Sequence, residues 1–395
     1  MPSRHGQSAN VLRWAAGACL GAALTCSGGG VRLGAVLPLS GADSAYGASL
    51  REGVELAVQR INREGGVEGR RLSLTVRDSA SNPRLAAQAF QSLVTEDHVS
   101  AVIGGCTSGE ALAMGPLAQR DQRVLLSPSA TDPDQALGGG WLFRIWPTDE
   151  AEGKALAEFA AFSLHATRVL RVLEANPYAE GVSRAFAARF GSSDRLSNEL
   201  RLASGTGPAE AAALVAKAVG DAQAIFVVGN GAGLFPLLGA LEAQGLNRPL
   251  LSVSALSDAG LLERFGGQTE GVIFARPAFE PASGDPATQE FVEAFKALHG
   301  REPDIYAAHG YDAVGILVSV MAAGGTDAAS IRRGLLALRT YRGAAGPTTF
   351  DAHGGAVQPY QLCVVRKGRV VPLKDVLETV LVPLQLDVER LRFGR

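Results

Sequence analysis

The sequence predicts an α/β protein of two Rossmann-like lobes, each built on a parallel central sheet with helices on both faces. Three observations carry that expectation. The apolar strand VRLGAVLPL, from Val31 to Leu39, stops in the small polar loop SGADSAYG, and a helix follows in which Leu50, Val54, Ala57, Val58 and Ile61 share one face until Gly65-Gly66 ends it. Apolar strands and amphipathic helices then keep alternating, the pattern of parallel sheets covered on both sides. The alternation pauses in the Gly- and Pro-rich stretch Gly138 to Pro147 and then starts again. Polar loops at the carboxyl ends of the strands in such sheets are where ligands bind.

In chain order, the first series continues with strands near Leu72 to Arg77, Ala101 to Gly104 and Val124 to Ser127, separated by helices near Pro83 to Glu96 and Gly109 to Arg120. The second series places strands near Arg168 to Leu173, Glu199 to Leu202, Ala224 to Gly229, Leu250 to Val253 and Val272 to Ala275. Its helices fall near Ala151 to His165, Glu180 to Phe190, Pro208 to Val219, Leu234 to Gln244 and Asp258 to Phe265. A second break, Arg276-Pro277 to Pro286, precedes helices near Thr288 to His299 and Tyr306 to Gly324. The two breaks read as crossovers between lobes, and a third crossing near Gly346 to Phe350 completes a three-crossover hinge that bends without flailing. The expected division is 31–147 with 277–347 for lobe 1 and 148–276 with 348–371 for lobe 2. Residues 372–395 form an extension with no assigned role, in which Pro383 breaks any single helix.

Residues 1–26 carry Arg4 and Arg13, no acid, and an apolar stretch from Trp14 to Leu24 too short to span a bilayer, which reads as an export signal. Removing it moves the formal charge from -2 to -4, with 35 basic against 39 acidic residues. Ala23-Leu24-Thr25-Cys26 before the 27–31 tether resembles a bacterial lipoprotein signal with Cys26 as the acylated residue, although Thr25 departs from the usual small residue there. Plain cleavage and release is the second reading, and processing at Cys19, which would expose an apolar stub, the third. Elsewhere no stretch is expected to cross a membrane, and no basic stripe suggests nucleic acid. Cys106 and Cys363 are expected as free buried thiols.

From about Arg32 to Val371 the pattern resembles the type I periplasmic binding proteins, specifically the branched-chain amino-acid (Leu/Ile/Val) binding family that feeds ABC transporters. The resemblance rests on Pro38-Leu39-Ser40-Gly41 with Tyr46-Gly47, Ile61-Asn62 with Gly65-Gly66-Val67 and Gly69, and Asp78 with Asn82-Pro83. It continues through Val102-Ile103-Gly104, Ser127-Pro128-Ser129-Ala130-Thr131, Tyr178 with Glu180-Gly181, Tyr311-Asp312-Ala313, and Gly346-Pro347 with Phe350-Asp351 and Gly354. Each piece is short; their order along the whole chain is the signal.

The resemblance implies a ligand carboxylate held by hydroxyl and backbone N–H groups of two strand-end loops, matching Ser108 and Ser129 with Thr131 here. Physics points the same way, because Ser108 lies immediately before a predicted helix whose unpaired N–H groups and dipole favour an anion. A cap or turn role is the ordinary alternative for either residue. Tyr46, Tyr178 and Tyr306 fall where the family places aromatic or polar groups around its ligand. Where classical members hold the ligand ammonium with a carboxylate and a tyrosine, this sequence offers Ser254 and Asn230, and the acids nearby are Asp258, Glu174 and Glu110. A buried ammonium needs compensating charge, so an amide, a keto acid or an aromatic acid competes with an amino acid as ligand.

Catalytic signatures are weak. Gly229-Asn230-Gly231-Ala232-Gly233 fails as a dinucleotide loop because the third glycine position holds Leu234. The histidines His98, His165, His299, His309 and His353 are scattered, and Gly105-Cys106-Thr107-Ser108-Gly109 lacks the spacing of a nucleophile elbow. The expectation is a non-enzymatic, cofactor-free, monomeric solute-binding protein. It is exported, and periplasmic or anchored through Cys26, and it delivers a small carboxylated ligand to an ABC permease. An amide or amino-acid sensor of the same fold is the first alternative, and an enzyme the second.

Overall fold

The computed structural model describes residues 30–132, 140–191, 195–203, 206–229, 231–351 and 354–376. Cys26, Asn230, His353 and most of the C-terminal extension lie outside them. Among the described residues, β1 (Val31–Leu37), β2 (Leu72–Asp78), β3 (Ala101–Gly104), β4 (Val124–Ser127) and β5 (Leu142–Arg144) form an all-parallel sheet in the order β2-β1-β3-β4-β5. Helices α1 (Ser44–Arg63), α2 (Pro83–Thr95) and α3 (Ser108–Arg120) connect its first four strands.

The second sheet takes β6 (Arg168–Glu174), β7 (Leu196–Leu202), β8 (Ala224–Val228), β9 (Leu250–Ser252) and β10 (Ile273–Pro277) in parallel, with helices α4 (Asp149–Glu158), α5 (Pro177–Phe190), α6 (Pro208–Ala218), α7 (Gly231–Ala243) and α8 (Ala259–Phe265). After α9 (Pro286–His299), α10 (Ile305–Gly324) and α11 (Ala328–Ala337), a small antiparallel sheet forms from β11 (Thr340–Gly343), β12 (Gly346–Phe350) and β13 (Ala356–Val357). The hairpin β14 (Tyr360–Arg366) and β15 (Arg369–Pro372) then extends the second sheet antiparallel to β10, giving the order β15-β14-β10-β9-β8-β6-β7.

Several expectations change. The stretch Gly138 to Pro147 was expected as irregular crossover, yet it contains β5, whose three residues are all buried beside β4. Only three residues pair, too few for alternation to be visible. The helix expected over Ala151 to His165 begins at Asp149 behind the Thr148 cap, and its α-helical part ends at Glu158, followed by a π-helical turn over Phe159–Ser163. The expectation that no further stretch could cross a membrane also fails by composition, since α10 is long and apolar enough. Most of that helix is buried, however, and it is packed as a core helix along α1.

The α1–α10 contact is backbone against backbone. A methyl group on Gly53 would run into the carbonyl oxygen of Ala307, and one on Gly310 into the carbonyl oxygen of Leu50. Neither position has room for a side chain, so Gly53→Ala is expected to destabilise the protein by about 2–3 kcal/mol through forced separation of the two helices. Chemical denaturation of the variant, with an unchanged circular dichroism spectrum as the folding control, measures this.

Candidate functional site

The site forms where strand ends of the two sheets meet. At the end of β3 the chain turns through Cys106 into α3, and the Thr107 side chain caps that helix by accepting from Glu110 N at 3.3 Å. Ser108 is therefore the first helical residue and not, as expected, the residue before it. The dipole argument survives, since the first-turn N–H groups have no acceptor within the helix. Glu110 reaches back to accept from Cys106 N at 3.2 Å and from Ser79 Oγ at 2.5 Å, which makes it a structural acid and not a ligand group.

At the end of β4, Ser127 Oγ donates to Gly105 O and Ser129 Oγ donates to Cys106 O, both at 2.7 Å. Ser129, expected to hold the ligand, uses its hydroxyl to tie the two loops together. The hydroxyls left over are Ser108 Oγ and Thr131 Oγ1, both buried and without a hydrogen bond of good geometry, Thr131 lying beside the Asp149 carboxyl. Thr131 O accepts from Asp149 N at 3.1 Å and from Arg144 Nη1 at 3.2 Å, which fastens this loop to β5 and α4.

Both hydroxyls face a small cavity of about 40 Å³, room for one or two water molecules. Tyr46, Ser108, Ser129, Thr131, Tyr178, Ser254 and Tyr306 all line it, together with Cys106, Thr107, Trp146 and Ala255. Seven of the eight residues singled out from sequence thus line one cavity, and the eighth, Asn230, lies outside the described residues. Trp146 was missed because it sits in the stretch expected to be irregular. It stacks on Tyr306 at 5.3 Å between ring centroids, and Tyr306 stacks on Tyr46 at 4.9 Å, giving a three-ring wall. Cys106 and Cys363 are free and buried.

Contacts from the second sheet close the cavity. Gly231 N donates to Tyr46 Oη at 2.7 Å, Tyr306 Oη donates to Ser254 O at 3.2 Å, and Ala259 N donates to Asp304 Oδ2 at 3.1 Å. Of the acids considered from sequence, Asp258 is used as the cap of α8, accepting from Leu261 N at 2.7 Å. The acid that sequence reasoning missed is Glu152 of α4. It is fully buried behind the cavity wall, accepting from Ser254 N at 2.7 Å and from Tyr178 Oη at 3.0 Å. Burial pushes its carboxyl up to about 7, against the pull of the bonds from Ser254 and Tyr178. Asp43, at the mouth of the α1 loop, is likewise raised to about 7 by burial and by the charges of Glu110 and Glu174.

Two α/β sheets whose strand ends enclose one small, mostly aromatic and hydroxyl-lined cavity define a two-lobed small-molecule binding protein. The chain belongs to the periplasmic binding protein family, whose profile matches residues 30–369. It is 25% identical over 338 residues to the Leu/Ile/Val-binding protein homolog 1 of Brucella abortus, covering 83% of this chain and 88% of that protein. Among solved structures it is similar to the substrate-binding protein LivJ of the Streptococcus pneumoniae branched-chain amino acid transporter, in complex with isoleucine, at TM-score 0.80 and 25% identity over 86% of this chain and 97% of that one. The leucine-binding protein LivK of Thermotoga maritima is similar at TM-score 0.80 and 26% identity, covering 87% and 97%. The fold is thus that of a type I periplasmic binding protein, an extracytoplasmic class of solute-binding proteins for ABC transporters.

Proposed function

We propose that the protein captures a small carboxylated ligand, an amino acid or a related compound, by closing two lobes around it and delivers it to an ABC permease. The observation that carries this reading is the pair of buried hydroxyls, Ser108 Oγ and Thr131 Oγ1, in one aromatic-walled cavity at the start of α3. A buried hydroxyl without a partner costs stability, and a carboxylate supplies the missing acceptor at a helix start that favours negative charge. Lobe 1 comprises 31–147 with 277–347, and lobe 2 comprises 148–276 with 348–371. Among the hydrogen bonds that cross between them, those at Tyr46, Tyr306 and Asp304 belong to the shut state. A ligand that touches both lobes shifts the population toward that state, and the permease recognises it. Export through the leader and anchoring through Cys26 complete the reading.

A thermal-shift panel tests it with L-leucine, L-isoleucine, L-phenylalanine, benzoate, 4-methylpentanoate and leucinamide. At least one carboxylate is expected to raise the melting temperature, since a ligand specific for the native state stabilises it. Leucinamide, lacking the carboxylate, is expected to leave the melting temperature unchanged. Stabilisation by leucinamide equal to that by leucine would remove the carboxylate from the account.

A further inference from the structure

We propose that Glu152, which does not itself reach the cavity, sets the hydrogen-bond polarity of the Tyr178–Ser254 end, so that this end takes only a donor group, and couples capture of a cationic amine to release of a proton. The inference rests on the proposed carboxylate-first reading of the site. Its geometry is a relay. Tyr178 Oη donates to Glu152 Oε2 at 3.0 Å, and Ser254 Oγ lies 3.3 Å from Tyr178 Oη. Ser254 N fixes the other carboxylate oxygen at 2.7 Å, and Tyr360 Oη stands 3.5 Å from Oε2.

An ionised carboxylate only accepts, and each hydroxyl has one proton. With Glu152 ionised, the protons of Tyr178 and Ser254 both run toward it, and the lone pairs of the two oxygens are left for the cavity. A ligand that brings an ammonium to this end meets two aligned acceptors with a negative charge directly behind them. A keto or ester oxygen there meets lone pairs and leaves buried acceptors unpaired. The position that family resemblance assigns to a direct acid is Ser254, so the countercharge is supplied here at one remove.

The proton follows from the same arrangement. Around Glu152 stand Tyr178 of α5, Tyr360 of β14, Tyr306 of α10 and the Ser254 segment, with Asp149 one turn earlier on its own helix and Arg144 of β5 facing Asp149. Among the described residues no lysine, arginine or histidine is paired with it, and burial raises its carboxyl to about 7, so near neutral pH it is poised between its protonated and ionised forms. When protonated, Glu152 must donate, which reverses the relay and turns a hydroxyl proton toward the cavity. A bound ammonium holds the ionised form, so part of a proton leaves the protein per amine bound near pH 7.

Isothermal titration calorimetry in buffers of different ionisation enthalpy reads both parts. L-leucine and L-phenylalanine are each compared with the deamino acid, 4-methylpentanoate and 3-phenylpropanoate. For at least one pair the amino acid is expected to bind on the order of 100-fold tighter with proton release, and the deamino acid to bind without it. Glu152→Gln is expected to abolish proton release and the preference for the amine, while binding of the deamino acid persists. Tyr178→Phe, which keeps the ring and cuts the relay, is expected to act the same way. Equal or tighter binding of the deamino acids, or amino-acid binding with no proton released, would overturn the inference and leave the carboxylate reading standing. Failure of all four carboxylates to bind would overturn both.

Discussion

Replacing Ser108 and Thr131 together by alanine is expected to weaken binding of the carboxylate ligand at least about 100-fold, while the unliganded protein stays as stable as before or becomes slightly more so. Ser108 Oγ is buried without a hydrogen bond, and Thr131 Oγ1 meets only the Asp149 carboxyl, so the empty protein carries a desolvation cost at this site that the ligand relieves. Removing a hydrogen bond to a charged group costs about 1.5–3 kcal/mol, and two such losses account for the affinity change. Removing an unpaired buried hydroxyl has the opposite sign for folding. Ser108 is the cleaner case, because Thr131 also lies beside Asp149 and holds that acid's proton affinity down. The measurement is a melting curve and a titration on the same variant. A large loss of unliganded stability would show that the hydroxyls are structural.

The second large effect is on pH. The unliganded protein is expected to lose roughly 5–10 °C of melting temperature between pH 5 and pH 7.5. Glu152, Asp43 and Asp312 are all raised to about 7, and in each the largest cause is burial; Asp258 is raised by burial and by neighbouring Asp304. For a carboxyl raised in the folded state, the unfolded chain ionises first as pH climbs, so the folded state binds more protons in between. Stability therefore falls with rising pH from the unfolded value near 4–4.5 to the folded value near 7, and levels off above it. Glu152 alone spans 4.5 to about 7, which is roughly 3 to 4 kcal/mol at most. A flat melting temperature across this window would contradict the burial assigned to these acids. With a saturating amine-bearing ligand the slope should shallow, since Glu152 is then held ionised in the folded state.

Much of the fold was legible because each β–α unit declares itself locally. The strands at Ala101–Gly104 and Val124–Ser127 fall at their expected residues, and most other elements shift by one or two. What escaped was either short or long-range. The strand Leu142–Arg144 exists because β4 offers an open edge, and nothing in its three residues says so. The β14–β15 hairpin joins its sheet antiparallel, outside the rhythm that identified the other strands. In the site, Ser108 and Thr131 were visible from loop position, whereas Ser129 looked equivalent to them and differs only in having Cys106 O within reach. Glu152 looked like any acid in a first helical turn, where such residues ordinarily complement the dipole. Its role depends on Tyr178, Ser254 and Tyr360, the last lying 208 residues away.

The glycine contact between α1 and α10 also governs what the aromatic wall can do. Tyr46 rides on one of these helices and Tyr306 on the other, with Gly53 and Gly310 leaving no slack between their backbones. The two rings are consequently one fixture, like a vice jaw cast in a single piece. A longer or bulkier ligand finds no accommodation on that side, so under the proposed lobe closure selectivity for ligand size would be set by how far the opposite jaw, carrying Tyr178 and Ser254, travels before it stops.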